Sequence, residues 1–373
     1  MTLVAETSEV GPKPVRRFWQ SALGFWSGAG RWLPWTLIGL LVVCVILQLL
    51  VQYRLNLWNR DFFNALESRN GAEIRHQTYL LPAFAAMSVA LAITAVWGRM
   101  TFQRRWRDWL TAYLLGLWLD NDNYRRLDAG AAEHQLAEYR IAEDARVATD
   151  APIDLLVGLL ASMLTAATFV VVLWTVGGSL DIAVSGGAIE VPGYLVFASI
   201  GYAAFTTSGM IVVGRHMAHV IERKNQAESE LKFAVARLRN DGAIDGHPHR
   251  SAPIGFALAE VMRQWRRLCG QHMRTTLVSH TNTLLAPLVG LILCVPKYIE
   301  GDMLLGEVTQ AAAAFAAVQS AFNWLVDNYP RLAEWASSAS RVGSLLLALD
   351  RMEVVSLPGD APVAPLAPAN VAR

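Results

Sequence analysis

The stretch from Arg99 to Pro152, RMTFQRRWRDWLTAYLLGLWLDNDNYRRLDAGAAEHQLAEYRIAEDARVATDAP, restricts what this chain can fold into more than any other. It carries eight basic residues, Arg99, Arg104, Arg105, Arg107, Arg125, Arg126, Arg140 and Arg146. A helix buried in hydrocarbon does not tolerate that density of charge. Its Trp, Tyr and Leu residues still recur at helical spacing, which argues against an unstructured loop. Apolar runs of about twenty residues, the length that crosses a bilayer, flank it on both sides. The stretch is therefore expected to be two membrane helices that leave the bilayer together as one long helical hairpin. Its tip would be DNDNYRRLD, and its return arm would carry Tyr139 to Asp144.

Composition extends this reading to the whole chain. Of 373 residues, 54% are hydrophobic and 17% charged, against roughly a quarter charged in soluble domains. The excess comes in blocks, at about Trp35–Tyr53, Tyr79–Trp97, Ile153–Val176, Tyr194–Val213, Leu277–Tyr298 and Val308–Leu325. The fold class is all-α, a polytopic membrane protein with six transmembrane helices and long helical extensions. Pro287 and Pro296 are expected to bend the fifth span. PVRRFWQSALGF (14–25) suits a short amphipathic helix at the membrane surface. Arg54 to Glu67 reads as a polar, aromatic connection, and GGSLDIAVSGGAIEVPG as a Gly-rich loop. Residues 1–14 and the Pro- and Ala-rich 351–373 are expected to be disordered, leaving 15–350 as the transmembrane domain. The N-terminus lacks the apolar core of a signal peptide. Cys44, Cys269 and Cys294 have no metal-like spacing and are expected to be packing thiols.

Net charge is +1, which favours no class of partner; no nucleic acid is expected. Its distribution is more informative. Lys and Arg crowd the N-terminus, the second and fourth connections and the C-terminal helix; the first connection, with Arg54, Arg60, Arg69 and Arg75, is the exception, balanced partly by Asp61, Glu67 and Glu73. They are absent from the third connection, and only Lys297 stands in the fifth. By the positive-inside rule both termini are cytoplasmic. The fourth connection, Arg215 to Arg274, forms a second long helical hairpin with turn chemistry at its tip, Asp241 to His249.

Two long hairpins, between spans two and three and between four and five, resemble the transmembrane half of an exporter-type ABC transporter. LNLWNRDFFNALE after span one and WRDWLTAYLLGLWLDNDNYRRLD after span two resemble one branch of that family. So do YRIAEDAR before span three and FAAVQSAFNWLVDNYPRLAEWASSASRV around span six. The branch holds peroxisomal fatty-acyl transporters, their bacterial relatives and the SbmA/BacA peptide transporters, and the resemblance covers about residues 15 to 350. ATP-driven members continue into a domain with a GxxxxGK[ST] phosphate loop. This sequence has no such loop, and Asn240 to Pro248 fits their docking tip poorly. Both departures point to an SbmA/BacA-like importer. The resemblance implies a homodimer in the inner membrane that takes up peptides or peptide-like antibiotics with protons and without a cofactor. The alternative it implies is the permease half of an ABC transporter for peptides or acyl substrates, served by a separate ATPase subunit. A membrane-bound enzyme has no nucleophile motif, phosphate loop or His cluster to support it.

A proton-coupled importer needs a carboxylate whose surroundings change between states. Glu143 and Asp144, with Arg140 on the same helical face, are the leading set; the plain alternative is a surface salt bridge. Asp154, after Pro152, reads as a helix cap. Phe315, Gln319, Asn323 and Asp327 recur four apart, as a stripe lining a substrate cavity or bonding to neighbouring helices. His280 and Asn282 could join it. Trp58, Phe62 and Phe63 suit an interfacial belt, and the resemblance adds a role in an outer gate. His247 and His249 lack a third ligand, so no metal is expected.

Overall fold

The computed structural model describes residues 14–28, 32–120, 123–124, 137–184, 187–240 and 252–355. Most of both expected hairpin tips, with His247 and His249, and most of both expected disordered ends lie outside these residues. The chain folds as α1 (Pro14–Ser27), α2 (Trp32–Glu67), α3 (Gly71–Leu119) and α4 (Ala145–Gly177), then β1 (Ser179–Val184) and β2 (Gly187–Pro192). It continues as α5 (Tyr194–Gly214), α6 (Met217–Asn240), α7 (Ala252–Glu300) and α8 (Leu305–Val355). A helical turn (Ala137–Tyr139) and a π-helical turn (Arg140–Asp144) lead into α4. It is an all-α polytopic membrane protein.

Five helical stretches among the described residues are long and apolar enough to cross a membrane: Trp32–Glu67, Gly71–Leu119, Ala137–Gly177, Tyr194–Ala236 and Ile254–Glu300. The sixth expected span lies in α8 but is not among them. It is rich in alanine and interrupted by Gln310, Gln319 and Asn323, so it is less apolar than the other five.

Three expectations are corrected here. The connection from Arg54 to Glu67 is not separate from the first span but the last turns of α2. No Gly or Pro interrupts it, and it ends only where Arg69 takes φ 55°. Asn70 then caps α3, its Oδ1 accepting from the Ala72 and Glu73 N–H at 3.2 and 3.3 Å, as Asn does at an N-cap. The Gly-rich connection is an antiparallel hairpin, pairing Ser179 with Pro192 through to Val184 with Gly187. Pro152 lies inside α4 rather than at its start, so Asp154 is not a cap. Pro287 and Pro296 lie within α7.

The chain forms two compact units. One holds residues up to Gln52, 81–161 and those from Asn328. Its core repeats at helical spacing: Phe18, Ala22 and Phe25 of α1, Phe102, Trp106, Leu110 and Leu114 of α3, and Ala339, Val342, Leu346 and Leu349 of α8. Each large apolar side chain buried this way contributes about 1.5–3 kcal/mol. Thus α1 turns Phe18, Ala22 and Phe25 into this core; Phe25 stacks on Trp106 at 6.1 Å. Arg17 anchors it with a bidentate pair to Asp350 at 2.6 and 2.9 Å.

The other unit holds Tyr53–Leu80 and Ser162–Asp327. There α5 and α6 pack on α7. The end of α2 runs antiparallel to the start of α8: Asn56 and Gln310 exchange hydrogen bonds at 3.1 Å. Asn64 Oδ1 accepts from the Gly306 N–H at 2.8 Å, and Glu67 Oε2 from the Leu305 N–H at 3.0 Å. The side chains of α2 therefore satisfy N–H groups that the first turn of α8 leaves unpaired.

Candidate functional site

In the first unit the acidic run entering α4 sits on the π-helical turn. Such turns add a residue to the helical circuit and recur at functional sites. Here the neighbouring carboxylates find different partners. Glu143, half-buried, takes Arg146 one turn along its own helix, at 2.5 and 3.2 Å. Asp144 has a side chain only 2% exposed and takes Arg341 of α8. That pair is bidentate, Arg341 Nε to Oδ2 at 2.8 Å and Nη2 to Oδ1 at 2.6 Å. Ser337 and Ser338 hold the same guanidinium, accepting at 2.6 and 2.9 Å. The hydrogen bonds it donates to Asp144 push the Arg341 pKa further up, so this cation stays charged at any physiological pH. Instead of two carboxylates sharing Arg140, each has an arginine of its own; Arg140 stands half-buried at the head of the turn.

Ten residues further along the chain, Asp154 of α4 meets three side chains, two as hydrogen-bond donors and one as an ion pair. Arg331 of α8 reaches Oδ2 at 2.8 Å, and Gln103 and Arg99 of α3 reach Oδ1 at 2.9 and 3.4 Å. Gln103 Nε2 also donates to the Asp150 carbonyl at 2.8 Å. The positions are in register: α4 advances from 144 to 154 while α8 retreats from 341 to 331. The two rungs therefore lie about 15 Å apart along antiparallel helices. Asp154 ties three helices together, a role its sequence position after a proline hides.

In the second unit the expected polar stripe of α8 is not one surface. Phe315 is fully buried and packs on Tyr202 of α5 at 5.6 Å. Gln319 is buried too, its Nε2 donating to the Ser199 carbonyl at 2.8 Å, while its Oε1 has no partner among the described residues. Asn323 is half-buried and Asp327 exposed. Phe315 and Gln319 thus serve packing between helices, and only the later half of the stripe is open. Asn282 is buried, its Oδ1 without a partner among the described residues, and His280 is exposed.

Trp58, Phe62 and Phe63 form one aromatic run on the last turns of α2. Trp58 and Phe62 stack at 5.1 Å, and Phe63 meets Phe62 edge-on at 5.7 Å. Trp58 Nε1 donates to the Gln77 carbonyl of α3 at 2.8 Å. The residues that join this end of α2 to α8, Asn56, Asn64 and Glu67, lie interleaved with the aromatics. Sequence reasoning passes over them because a connection of unassigned structure gives no facing. No group of three or more His, Cys, Asp or Glu among the described residues could hold a metal ion.

Comparison with known proteins places this architecture. Residues 29–299 match the family described as ABC transporter transmembrane region 2. An inner membrane ABC transporter ATP-binding protein of Escherichia coli, YddA, is 24% identical over 81% of this chain and 56% of its own length. An uncharacterized ABC transporter ATP-binding protein of Synechocystis is 22% identical over 86% of this chain and 47% of its own. ABC transporter D family member 2, chloroplastic, of Arabidopsis thaliana is 19% identical over 77% of this chain and 39% of its own. The chain spans about half the length of the curated relatives it matches.

Proposed function

The chain belongs to the ABC transporter transmembrane region 2 family, and from that premise we propose that it forms the substrate pathway of a membrane transporter driven by an ATP-binding unit. The observation that carries this reading is the family match over residues 29–299. The relatives named as ABC transporter ATP-binding proteins support the choice of motor. Two copies in the inner membrane, with both termini in the cytoplasm, would enclose the pathway, and peptides or lipid-like acyl compounds are the proposed substrates. The half-open polar positions Asn323 and Asp327 would line it, and the run of Trp58, Phe62 and Phe63 would shape its outer end.

A second reading is SbmA/BacA-like uptake of peptides driven by protons. One observation favours it. Glu143 is half-buried and held by an arginine of its own helix, so it can exchange a proton without dismantling contacts between helices.

The test is reconstitution of the full chain in liposomes with a labelled proline-rich peptide and a labelled acyl substrate. Movement of either that requires ATP and a co-purified ATP-binding subunit is the expected result. Uptake under an inside-alkaline pH gradient without nucleotide, lost on adding an uncoupler, would overturn ATP coupling in favour of proton coupling.

A further inference from the structure

One face of α3, from Val89 to Met100, is left without a partner among the described residues. Val89, Ile93, Trp97 and Met100 are 58%, 64%, 59% and 61% exposed. They follow one another at spacings of four, four and three, so they form a single stripe. None of the residues in the most apolar window of α3 is buried. The same spacing continues to Arg104 and Arg107, both exposed, with exposed Arg105 beside them. Unlike Arg17, Arg99, Arg146, Arg331 and Arg341, these three arginines make no ion pair among the described residues. Asp108, exposed one turn beyond Arg104, makes none either. Glu143 and Asp150 lie within electrostatic reach of Arg107.

We infer that this stripe is a binding site for an anionic phospholipid, with acyl chains along Val89 to Met100 and the headgroup phosphate between Arg104 and Arg107. The dimensions fit. Met100 to Arg104 rises about 6 Å along the helix, close to the depth of the headgroup layer on each side of the hydrocarbon core. Arg104 and Arg107 stand one turn apart on one face, where both guanidinium groups can reach one phosphate. Charge complementarity favours a lipid over a second copy of the chain. A symmetric contact through this stripe would set Arg104 and Arg107 of one copy against the same cations of the other.

The measurement is the preference of the reconstituted chain for spin-labelled phosphatidylglycerol over phosphatidylcholine. The wild type should prefer the anionic lipid. Arg104→Gln and Arg107→Gln should each lower that preference about fivefold, the effect of one arginine near an anionic headgroup. Arg16→Gln, at an exposed position of α1 away from this stripe, should leave it unchanged. A photo-crosslinking residue introduced in place of Met100 should capture lipid. An unchanged preference in the Arg104→Gln/Arg107→Gln double variant overturns the site. So does capture of a second copy of the chain from position 100. All these positions are exposed, so retained helicity and melting temperature serve as the folding control.

Discussion

Asp144 and Arg341 stand 197 residues apart in the chain and meet in a bidentate ion pair at 2.6 and 2.8 Å. The aspartate is buried and the arginine half exposed. The two partners are therefore not equivalent. Arg341→Gln leaves a charge stranded in the interior, which costs about 3–5 kcal/mol at a fully buried site. With water reaching this arginine, about 2 kcal/mol is the expected loss. Asp144→Asn leaves an amide that still accepts a hydrogen bond and an arginine that keeps Ser337 and Ser338. Thermal unfolding in detergent should rank Arg341→Gln as the more destabilising, and the reverse order would mean that the arginine carries the buried charge.

At Asp154 the redundancy predicts non-additivity. With Arg99, Gln103 and Arg331 on one carboxylate, loss of either arginine leaves the charge compensated, at a cost below about 1 kcal/mol. Removing both leaves Asp154, 15% exposed, with Gln103 alone. The Arg99→Gln/Arg331→Gln variant should be worse than the sum of the singles, with a coupling of about 0.5–3 kcal/mol. A double-mutant cycle of melting temperatures reads this directly. Simple additivity would show that Asp154 does not bridge α3 and α8.

Glu143 offers a separation of stability from mechanism. Its pair with Arg146 is half exposed and lies within one helix. Glu143→Gln should therefore leave the melting temperature unchanged, so its effect in the liposome assay reports on transport alone. Loss of pH-gradient-driven uptake in this variant would place Glu143 in proton coupling. ATP-dependent transport that proceeds undiminished would make it a surface salt bridge.

Local periodicity makes the helices legible, and charge marks where the chain leaves the bilayer. Glu143 and Asp144 stand out because carboxylates beside arginine on one face are visible within a single turn. Arg341 is not visible, since nothing near Asp144 in sequence reports a helix 197 residues away. Pro152 predicts a boundary, as proline does in isolated helices, but here it lies within α4 and Asp154 beyond it bonds to two neighbouring helices. For α2 the signal was present: no Gly or Pro occurs between Arg54 and Glu67, and polar residues alone do not end a helix. In the α4–α5 connection the glycines obscure two short strands whose apolar residues alternate. Even spacing in α8 predicts a shared face for Phe315 to Asp327. Burial along that face is uneven, because α5 covers only its first half.

The contact between the end of α2 and the start of α8 yields the sharpest test of packing. Gly306 is buried and donates its N–H to Asn64. A Cβ there would meet the Arg60 carbonyl and the Asn64 side chain. Backbone leaves no room to retreat, because Asn56 and Glu67 fix the two helices on either side of the contact. Gly306→Ala should therefore prevent correct packing of the second unit and show as little folded protein after size-exclusion in detergent. Gly116, an exposed position inside α3, has nothing within 4 Å of such a Cβ. Gly116→Ala should stabilise by about 0.5–1 kcal/mol, since alanine gives up less backbone entropy than glycine in a helix. Opposite signs at the two glycines would establish that approach of the α2 backbone, rather than helix propensity, demands glycine at 306. A well-folded Gly306→Ala protein would show that α2 and α8 part readily at this end.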